Sequence, residues 1–361
     1  MLQAPISKSE EDKIFMQRCL QLAYHAVDTA APNPMVGAVV VHQGKIIGEG
    51  WHRKAGQPHA EPNAIRSVKN QSLLKESTLY VSLEPCSHYG KTPPCADLII
   101  EKGIPRVVIG CEDPFPEVSG RGIRKLQEAG IEVVVGVERE ACLQLNRAFI
   151  TYHLQHRPYI TLKWAQTADG KIDRIREPQE SALQISDHYT AMMVHKLRHE
   201  SDAILVGRNT VYMDNPSLSI RHWPSENKPL RILFDRHKQL SAQARIFDGS
   251  QASLIFTEQA SKQEENNEWI QAYTWPEIME ILYRKGIQRL LVEGGRKIHQ
   301  SLIDNNLWDE IQIETAPFEI GSGIDAPQLH LAEKKDDFII VQKQAGSSDR
   351  QICHIVRKIY K

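Results

Sequence analysis

Two short segments in the first hundred residues carry the residue types that zinc chemistry needs. One reads Pro58-His59-Ala60-Glu61. The other reads Glu84-Pro85-Cys86, and Cys95 follows after eight intervening residues. His59, Cys86 and Cys95 make a three-ligand set for one Zn2+ per chain. Three protein ligands leave the fourth tetrahedral position to water, the arrangement of a catalytic rather than a structural zinc site. Zinc brings the pKa of that water toward neutrality. The activated water can attack an amidine-like ring carbon that bears an amino group. Glu61, two residues after the histidine, is placed to carry the water's proton to the ring nitrogen and the departing ammonia. Glu61 is therefore the expected catalytic residue.

The elements that must position these side chains follow from the apolar pattern. Ile14, Phe15, Cys19, Leu22, Ala23, Ala26 and Val27 recur at helical spacing and predict a helix over 12–29, ended by Pro32 and Pro34. Residues 35–41 read as a buried strand, with 45–51 as its hairpin partner across Gln43-Gly44. Residues 60–68 read as a helix, so His59 and Glu61 sit at a helix N-terminus. Residues 78–83 read as a strand, with Cys86 just past its end. Pro93 and Pro94 precede a helix to about residue 101, which puts Cys95 in its first turn. A strand at 106–110, a helix at 122–129 and a strand at 131–135 complete an α/β/α layer pattern. Unpaired N–H groups at helix N-termini favour thiolates and other anions near the metal. Cys19, Cys111, Cys142 and Cys353 lack such a context and read as packing residues.

At 361 residues the chain is long enough for two domains, expected at 1–150 and 157–361 with a linker near 147–157. A formal net charge of −1 argues against a broad nucleic-acid surface, which needs a clustered basic excess. The N-terminal segment lacks the apolar core of a secretory signal. No apolar run reaches the roughly 18 residues of a membrane span. Six cysteines in a chain of this length do not make a disulfide framework. A cytoplasmic enzyme without a membrane or nucleic-acid partner is expected.

The second half alternates strands at 159–165, 203–206, 230–234, 252–256 and 289–292 with helices at 187–200 and about 296–305. Asp169-Gly170-Lys171 reads as a turn. Glu293-Gly294-Gly295 leads from a strand directly into a helix, and a glycine turn of that kind can cradle a phosphate. Its spacing does not match the Gly-x-Gly-x-x-Gly dinucleotide fingerprint. The tract Gln263–Glu268 and the tail from Lys334 read as solvated surface.

The segment Glu84-Pro-Cys-Ser-His-Tyr-Gly-Lys-Thr-Pro-Pro-Cys95, with its long Cys–Cys spacing, resembles the deaminase half of the bifunctional riboflavin-biosynthesis deaminase/reductase family. Ala31-Pro32-Asn33-Pro34-Met35-Val36-Gly37 is similar to its substrate loop. Lys163, Asp169-Gly170, the stretch from Gly207 through Thr210, Asp214 and Leu218 to Arg221, and Glu293-Gly294-Gly295 resemble the reductase half, in the expected order. The resemblance implies an α/β chain: an N-terminal cytidine-deaminase-like α/β/α layer domain, then a C-terminal dihydrofolate-reductase-like α/β domain that uses NADPH. It implies that Asn33 hydrogen-bonds a pyrimidine. It places Ala165, Gln184, Thr210, Asp214, Arg236, Gly295, Arg296, Lys297 and Ile298 at the cofactor. Lys163, Ser181, Arg198, Leu218, Arg221 and Glu293 would hold a phosphorylated ribosylaminopyrimidine, with the arginines suited to its 5′-phosphate.

The implied reactions are hydrolytic deamination of 2,5-diamino-6-ribosylamino-4(3H)-pyrimidinone 5′-phosphate and NADPH reduction of its ribosyl group to ribityl. A homo-oligomer formed through the reductase domain is also expected. Four departures stand out: Lys91 where Arg is common, Pro62 where a small aliphatic residue is usual, Gln184 where Trp is usual, and a loop at 174–180 without the usual small residues. A nucleic-acid deaminase and a regulatory protein with a spent reductase half are the competing readings.

Overall fold

The computed structural model describes residues 7–87, 93–113, 119–329, 337–345 and 349–358. The chain divides into two compact units, Met1–Leu154 and Gln155–Lys361.

The first unit opens with α1 (Lys8–Tyr24), started by a capping box in which Ser7 Oγ accepts from the Glu10 N–H and the Glu10 carboxylate accepts from the Ser7 N–H. There follow β1 (Gly37–His42), β2 (Lys45–Trp51), α2 (Ala60–Ser67), β3 (Thr78–Leu83), α3 (Cys95–Lys102), β4 (Arg106–Cys111), α4 (Arg121–Glu128), β5 (Glu132–Val135), α5 (Arg139–Leu145) and α6 (Arg147–Gln155). The sheet order is β2-β1-β3-β4-β5, antiparallel from β2 to β3 and parallel from β3 to β5. Its central strands are buried on both faces and so read as continuous apolar runs. Ala38, Val40, Val81 and Ile109 pack against Ala64 and Ile65 of α2, Ile99 of α3 and Leu126 of α4. α1 packs on β1 and β3 so closely that a Cβ at Gly37 would lie 2.0 Å from Cys19 O. The α/β/α layering is thus as expected. Within the stretch read as the linker, residues 147–155 form α6, with Ile150 and Thr151 buried.

The second unit contains β6 (Tyr159–Gln166), β7 (Lys171–Asp173), α7 (His188–His199), β8 (Ala203–Gly207), α8 (Arg208–Asp214), β9 (Leu230–Phe234), β10 (Ser253–Thr257), β11 (Lys262–Glu264), β12 (Asn267–Gln271), α9 (Trp275–Arg284), β13 (Arg289–Val292), α10 (Arg296–Asp304), β14 (Glu310–Thr315), β15 (Ile324–Asp325), β16 (Phe338–Ala345) and β17 (Arg350–Arg357). Ten strands form one sheet in the order β11-β12-β10-β9-β8-β13-β6-β14-β17-β16. It is parallel from β12 to β14, and β11, β17 and β16 add antiparallel edges.

Two segments expected as solvated surface belong to this sheet. Residues 263–268 supply most of β11 and the start of β12. Past the undescribed stretch at 330–336, the tail forms β16 and β17. β17 pairs with β14 along its length and buries Ile355 in the core around Leu162 and Ile311. Residues 262–264 and 339–343 are exposed throughout, so neither stretch shows the alternation of a half-buried strand. No helix of the described residues is long and apolar enough to cross a membrane.

β13 is inserted between β8 and β6, so α8 and α10 begin beyond the C-terminal ends of two adjacent strands, the position at which open α/β sheets have their ligand crevice. The approach there is very close. A Cβ at Gly294 would sit 2.3 Å from Val206 Cα and 2.5 Å from Gly207 N, and both are backbone atoms that cannot swing aside. Gly294→Ala is therefore expected to cost the second unit about 1–3 kcal/mol through overpacking and to weaken NADPH binding, leaving ammonia release by the first unit intact. Separate unfolding transitions and an NADPH titration check this.

Candidate functional site

In the first unit, His59 is the N-cap residue of α2, Cys86 follows the end of β3, and Cys95 is the first residue of α3. His59 Nδ1 lies 3.6 Å from Cys86 Sγ and 3.4 Å from Cys95 Sγ, and the three ligand atoms fall within 4.8 Å of one another. A tetrahedral zinc spaces its N and S ligands about 3.5 Å apart, so the set fits the ion. The Cys95 N–H donates to Cys86 Sγ at 3.3 Å and the Ala96 N–H to Cys86 O at 3.2 Å, so the start of α3 faces the cysteine. Hydrogen bonding with the Cys95 side chain, and secondarily with His59, lowers the Cys86 thiol to about 4. A thiolate is thus ready for a cation.

Glu61 is buried, and its Oε2 has no hydrogen-bond partner among the described residues. Burial first, then the Cys86 charge, raises its carboxyl to about 7. A carboxyl poised near neutrality with an unspent oxygen is what a proton carrier needs.

Three residues that sequence reasoning missed support this centre. The His52 ring stands edge-on to His59 at 5.4 Å between centroids, with Nδ1 3.2 Å from Pro58 O and Nε2 3.0 Å from Asn33 Nδ2. Donating from Nδ1 and accepting from the Asn33 amide, it fixes the side chain expected to meet the pyrimidine. Burial lowers its pKa and keeps it neutral. Asn146 accepts from the Met35 N–H and donates to Met35 O, pinning the same loop from across the unit. Glu84 accepts from the N–H groups of Asp113, Gly120, Gly122 and Ile123. It ties the Pro85-Cys86 turn to the start of α4. Its place directly before Pro85-Cys86 was the available signal. Lys91 lies outside the described residues.

In the second unit, Lys163, Arg198 and Glu293 come together. Arg198 makes a two-bond pair with Glu293 at 2.7 and 2.6 Å and donates to Ser219 O at 2.8 Å. Its guanidinium is thus largely spent on the protein. Arg221 is exposed and donates to the Ser217 and Ser219 hydroxyls. Between them Leu218 is buried at φ +52°, a strained conformation for a bulky residue that the arginine bonds hold in place. The Arg221 N–H donates to His195 Nδ1, so that ring must be neutral.

At the crevice, Gly295 (φ +48°) begins α10, and a Cβ there would lie 3.2 Å from Thr210 Oγ1. Ile298 underlies Gly207, Lys297 is exposed, and Arg296 lies 3.8 Å from Asp325. A side-chain-free turn at the start of a helix suits a dinucleotide phosphate. Asp214 is held by Arg176 of the 174–180 loop, which also pairs with Asp173. Ser181 and Gln184 are exposed, and Gln184 donates to Ser186 O. Ala165 pairs with Glu314 across β6 and β14. Arg236, just past β9, is largely exposed and 3.7 Å from Glu258.

With both centres in view, comparison with known proteins places the chain. Residues 9–111 match the cytidine and deoxycytidylate deaminase zinc-binding region, and residues 158–344 match the RibD C-terminal domain. The riboflavin biosynthesis protein RibD of Aquifex aeolicus is 40% identical over 343 residues, covering 93% of this chain and 95% of that protein. The chain belongs to the RibD family. RibD of Escherichia coli is 35% identical over 336 residues, covering 86% and 89% of the two chains. The solved diaminohydroxyphosphoribosylaminopyrimidine deaminase/5-amino-6-(5-phosphoribosylamino)uracil reductase of Thermotoga maritima superposes with a TM-score of 0.87 at 37% identity, covering 98% of this chain and all of that one. Acinetobacter baumannii RibD superposes at 0.82 with 27% identity, covering 97% of this chain and 100% of that one. Like RibD, the chain is a bifunctional deaminase and NADPH-dependent reductase of riboflavin biosynthesis, with zinc and NADPH as cofactors. Its two units are cytidine-deaminase-like and dihydrofolate-reductase-like.

Two histidines give the reductase unit a pH signature. His299 is buried in α10 with Nε2 3.1 Å from Val292 O, and burial lowers it to about 4; burial, then Arg198, does the same to His195. The unfolded chain protonates these groups near 6.5 and the folded chain near 4. Between those values the unfolded state binds more protons. Their contribution is therefore present above 6.5 and lost as pH falls toward 4, about 3 kcal/mol for His299. Unfolding of the reductase unit at pH 7.5, 6 and 4.5 is expected to show this loss, and His299→Gln to flatten it.

Proposed function

We propose that the first unit hydrolyses the 2-amino group of 2,5-diamino-6-ribosylamino-4(3H)-pyrimidinone 5′-phosphate, and that the second reduces the ribosyl group of the product to ribityl. The observation that carries this reading is the coexistence, in one RibD-family chain, of the His59-Cys86-Cys95 set and a buried Glu61 with one unpartnered oxygen, and of the Gly294-Gly295 turn into α10 with the Lys163, Arg198 and Glu293 group. The substrate is the one named for the Thermotoga relative.

Zinc, when bound, supplies a water whose proton is acidic near neutral pH. Glu61 takes that proton to the ring nitrogen, and then carries the second water proton, from the C2 hydroxyl, to the departing amino group. The water oxygen forms a bond to C2 as the C2–N bond breaks and ammonia leaves. Asn33, braced by His52, orients the ring.

NADPH supplies hydride to C1′ of the opened ribosylamine. Lys163 holds a proton beside the sugar. Arg221 meets the 5′-phosphate, and Arg198 keeps Glu293 and the 217–221 loop in place. Thr210, Asp214 and the α10 start line the cofactor, and Arg236 offers a cation for its 2′-phosphate. The enzyme works in the cytoplasm, without nucleic acid or membrane. It forms a homo-oligomer through the reductase unit, whose outer strand β16 exposes Ile339, Ile340 and Val341 at a sheet edge.

A paired assay on zinc-loaded protein tests this. Wild type should release ammonia from the diaminopyrimidinone and then oxidise NADPH. Glu61→Gln should lose ammonia release by about 10²–10⁴-fold, yet oxidise NADPH when given the deaminated product. Ammonia without NADPH oxidation would remove the reductase assignment, and neither activity with metal confirmed would remove the substrate.

A further inference from the structure

Glu314 lies on β14, is 3% exposed, and gathers donors from four directions. Ser186 Oγ donates to its Oε2 at 2.6 Å, and Lys163 Nζ stands 3.8 Å from the same oxygen. Thr190 Oγ1 donates to Oε1 at 2.8 Å and Arg350 Nη1 to the same oxygen at 3.1 Å. Arg350 also donates to Ile185 O and lies 2.9 Å from Asp187 Oδ2. One carboxylate thus joins β6, β17, α7 and the segment just after Gln184, where the chain departs from its family's pattern. A carboxylate buried this far costs several kcal/mol unless its surroundings answer it. Here Ser186, Thr190 and Arg350 answer it directly, and among the described residues Glu314 is the ion-pair partner of Lys163.

We propose that Glu314 is a positioning residue of the reductase reaction: its carboxylate holds the Lys163 ammonium at the ribose end of the cleft and, with Arg350, fixes the 185–187 backbone beside it. At 3.8 Å the pair is an ionic contact rather than a hydrogen bond, so the lysine's donors stay available to the sugar. The charged groups around Lys163 are Glu314 from β14, Glu293 after β13, Arg198 from α7 and His299 from α10, with Arg350 and Asp187 behind Glu314. Glu293 is paired with Arg198 and Glu314 with Arg350, and of the two carboxylates it is Glu314 that stands within ion-pair distance of Lys163. Burial lowers the lysine's pKa, and Glu314 is the strongest influence against that.

The inference rests on the proposed reading of Lys163 as the ribose contact, and the experiment separates the two. The full-length holoenzyme is assayed with 5-amino-6-(5-phosphoribosylamino)uracil and NADPH across pH. Lys163→Ala, Glu314→Gln, Glu314→Asp and Ser186→Ala are compared, and ammonia release from the diaminopyrimidinone, assayed separately on the same preparations, is the internal check. Glu314→Gln is expected to lower kcat/KM about tenfold and to move its alkaline limb down by about one pH unit, as loss of a charge at this distance would. Glu314→Asp should fall between it and wild type, and it carries the test if the glutamine variant does not fold. Ser186→Ala, which keeps the charge, should leave the limb in place. A Glu314→Gln limb at the wild-type position, or an equal shift in Ser186→Ala, overturns the inference. Wild-type turnover in Lys163→Ala overturns the reading beneath it as well.

Discussion

Both units depend on one constraint: backbone must come closer to backbone at the end of a strand than a side chain allows. In the first unit a Cβ at Gly122 would lie 2.0 Å from Pro85 O, and in the second a Cβ at Gly294 would lie 2.3 Å from Val206 Cα. In each case glycine lets a helix start, with its unpaired N–H groups, press against a neighbouring strand end. Glu84 uses that proximity at α4, where its carboxylate collects four N–H donors and so fixes the turn that delivers Cys86. At α10 the close approach is instead between the Gly294-Gly295 turn and the end of β8, with Thr210 Oγ1 facing Gly295.

The charges of the two centres are handled in opposite ways. Glu61 is buried with one oxygen unanswered, which raises its pKa and leaves it able to carry a proton. Glu293 and Glu314 are also well buried, but each has its own arginine, Arg198 and Arg350. A carboxylate paired in this way is held in place by its arginine, whereas Glu61 has one oxygen without a partner among the described residues.

The zinc centre was legible in the sequence because its donors follow one another within 37 residues and each sits at a recognisable element end. His59, Glu61, Cys86 and Cys95 need only local geometry, which proline and apolar periodicity announce. The supports were not legible. Asn146 reaches Met35 across 111 residues, and nothing in either segment marks the pairing. The reductase was harder still. Its strands β16 and β17 expose Gln342, Lys343 and Gln351 and pass for a solvated tail, although β17 pairs with β14 at the edge of the core. Arg198 reads from sequence as a phosphate ligand because arginine suits phosphate. Only the fold shows that Glu293 takes up its fork.

Gln184 bears on how this departure is absorbed. A tryptophan would hold its loop by burying a large apolar surface, whereas an exposed glutamine donating to Ser186 O cannot. The anchorage lies one to three residues further on and is polar: Ile185 is buried with its carbonyl bound by Arg350, Ser186 donates to Glu314, and Asp187 caps α7 by accepting from the Thr190 N–H. Polar bonds of this kind are directional, so what orders the backbone at 185–187 is hydrogen bonding to Arg350 and Glu314 rather than packing of the side chain at position 184.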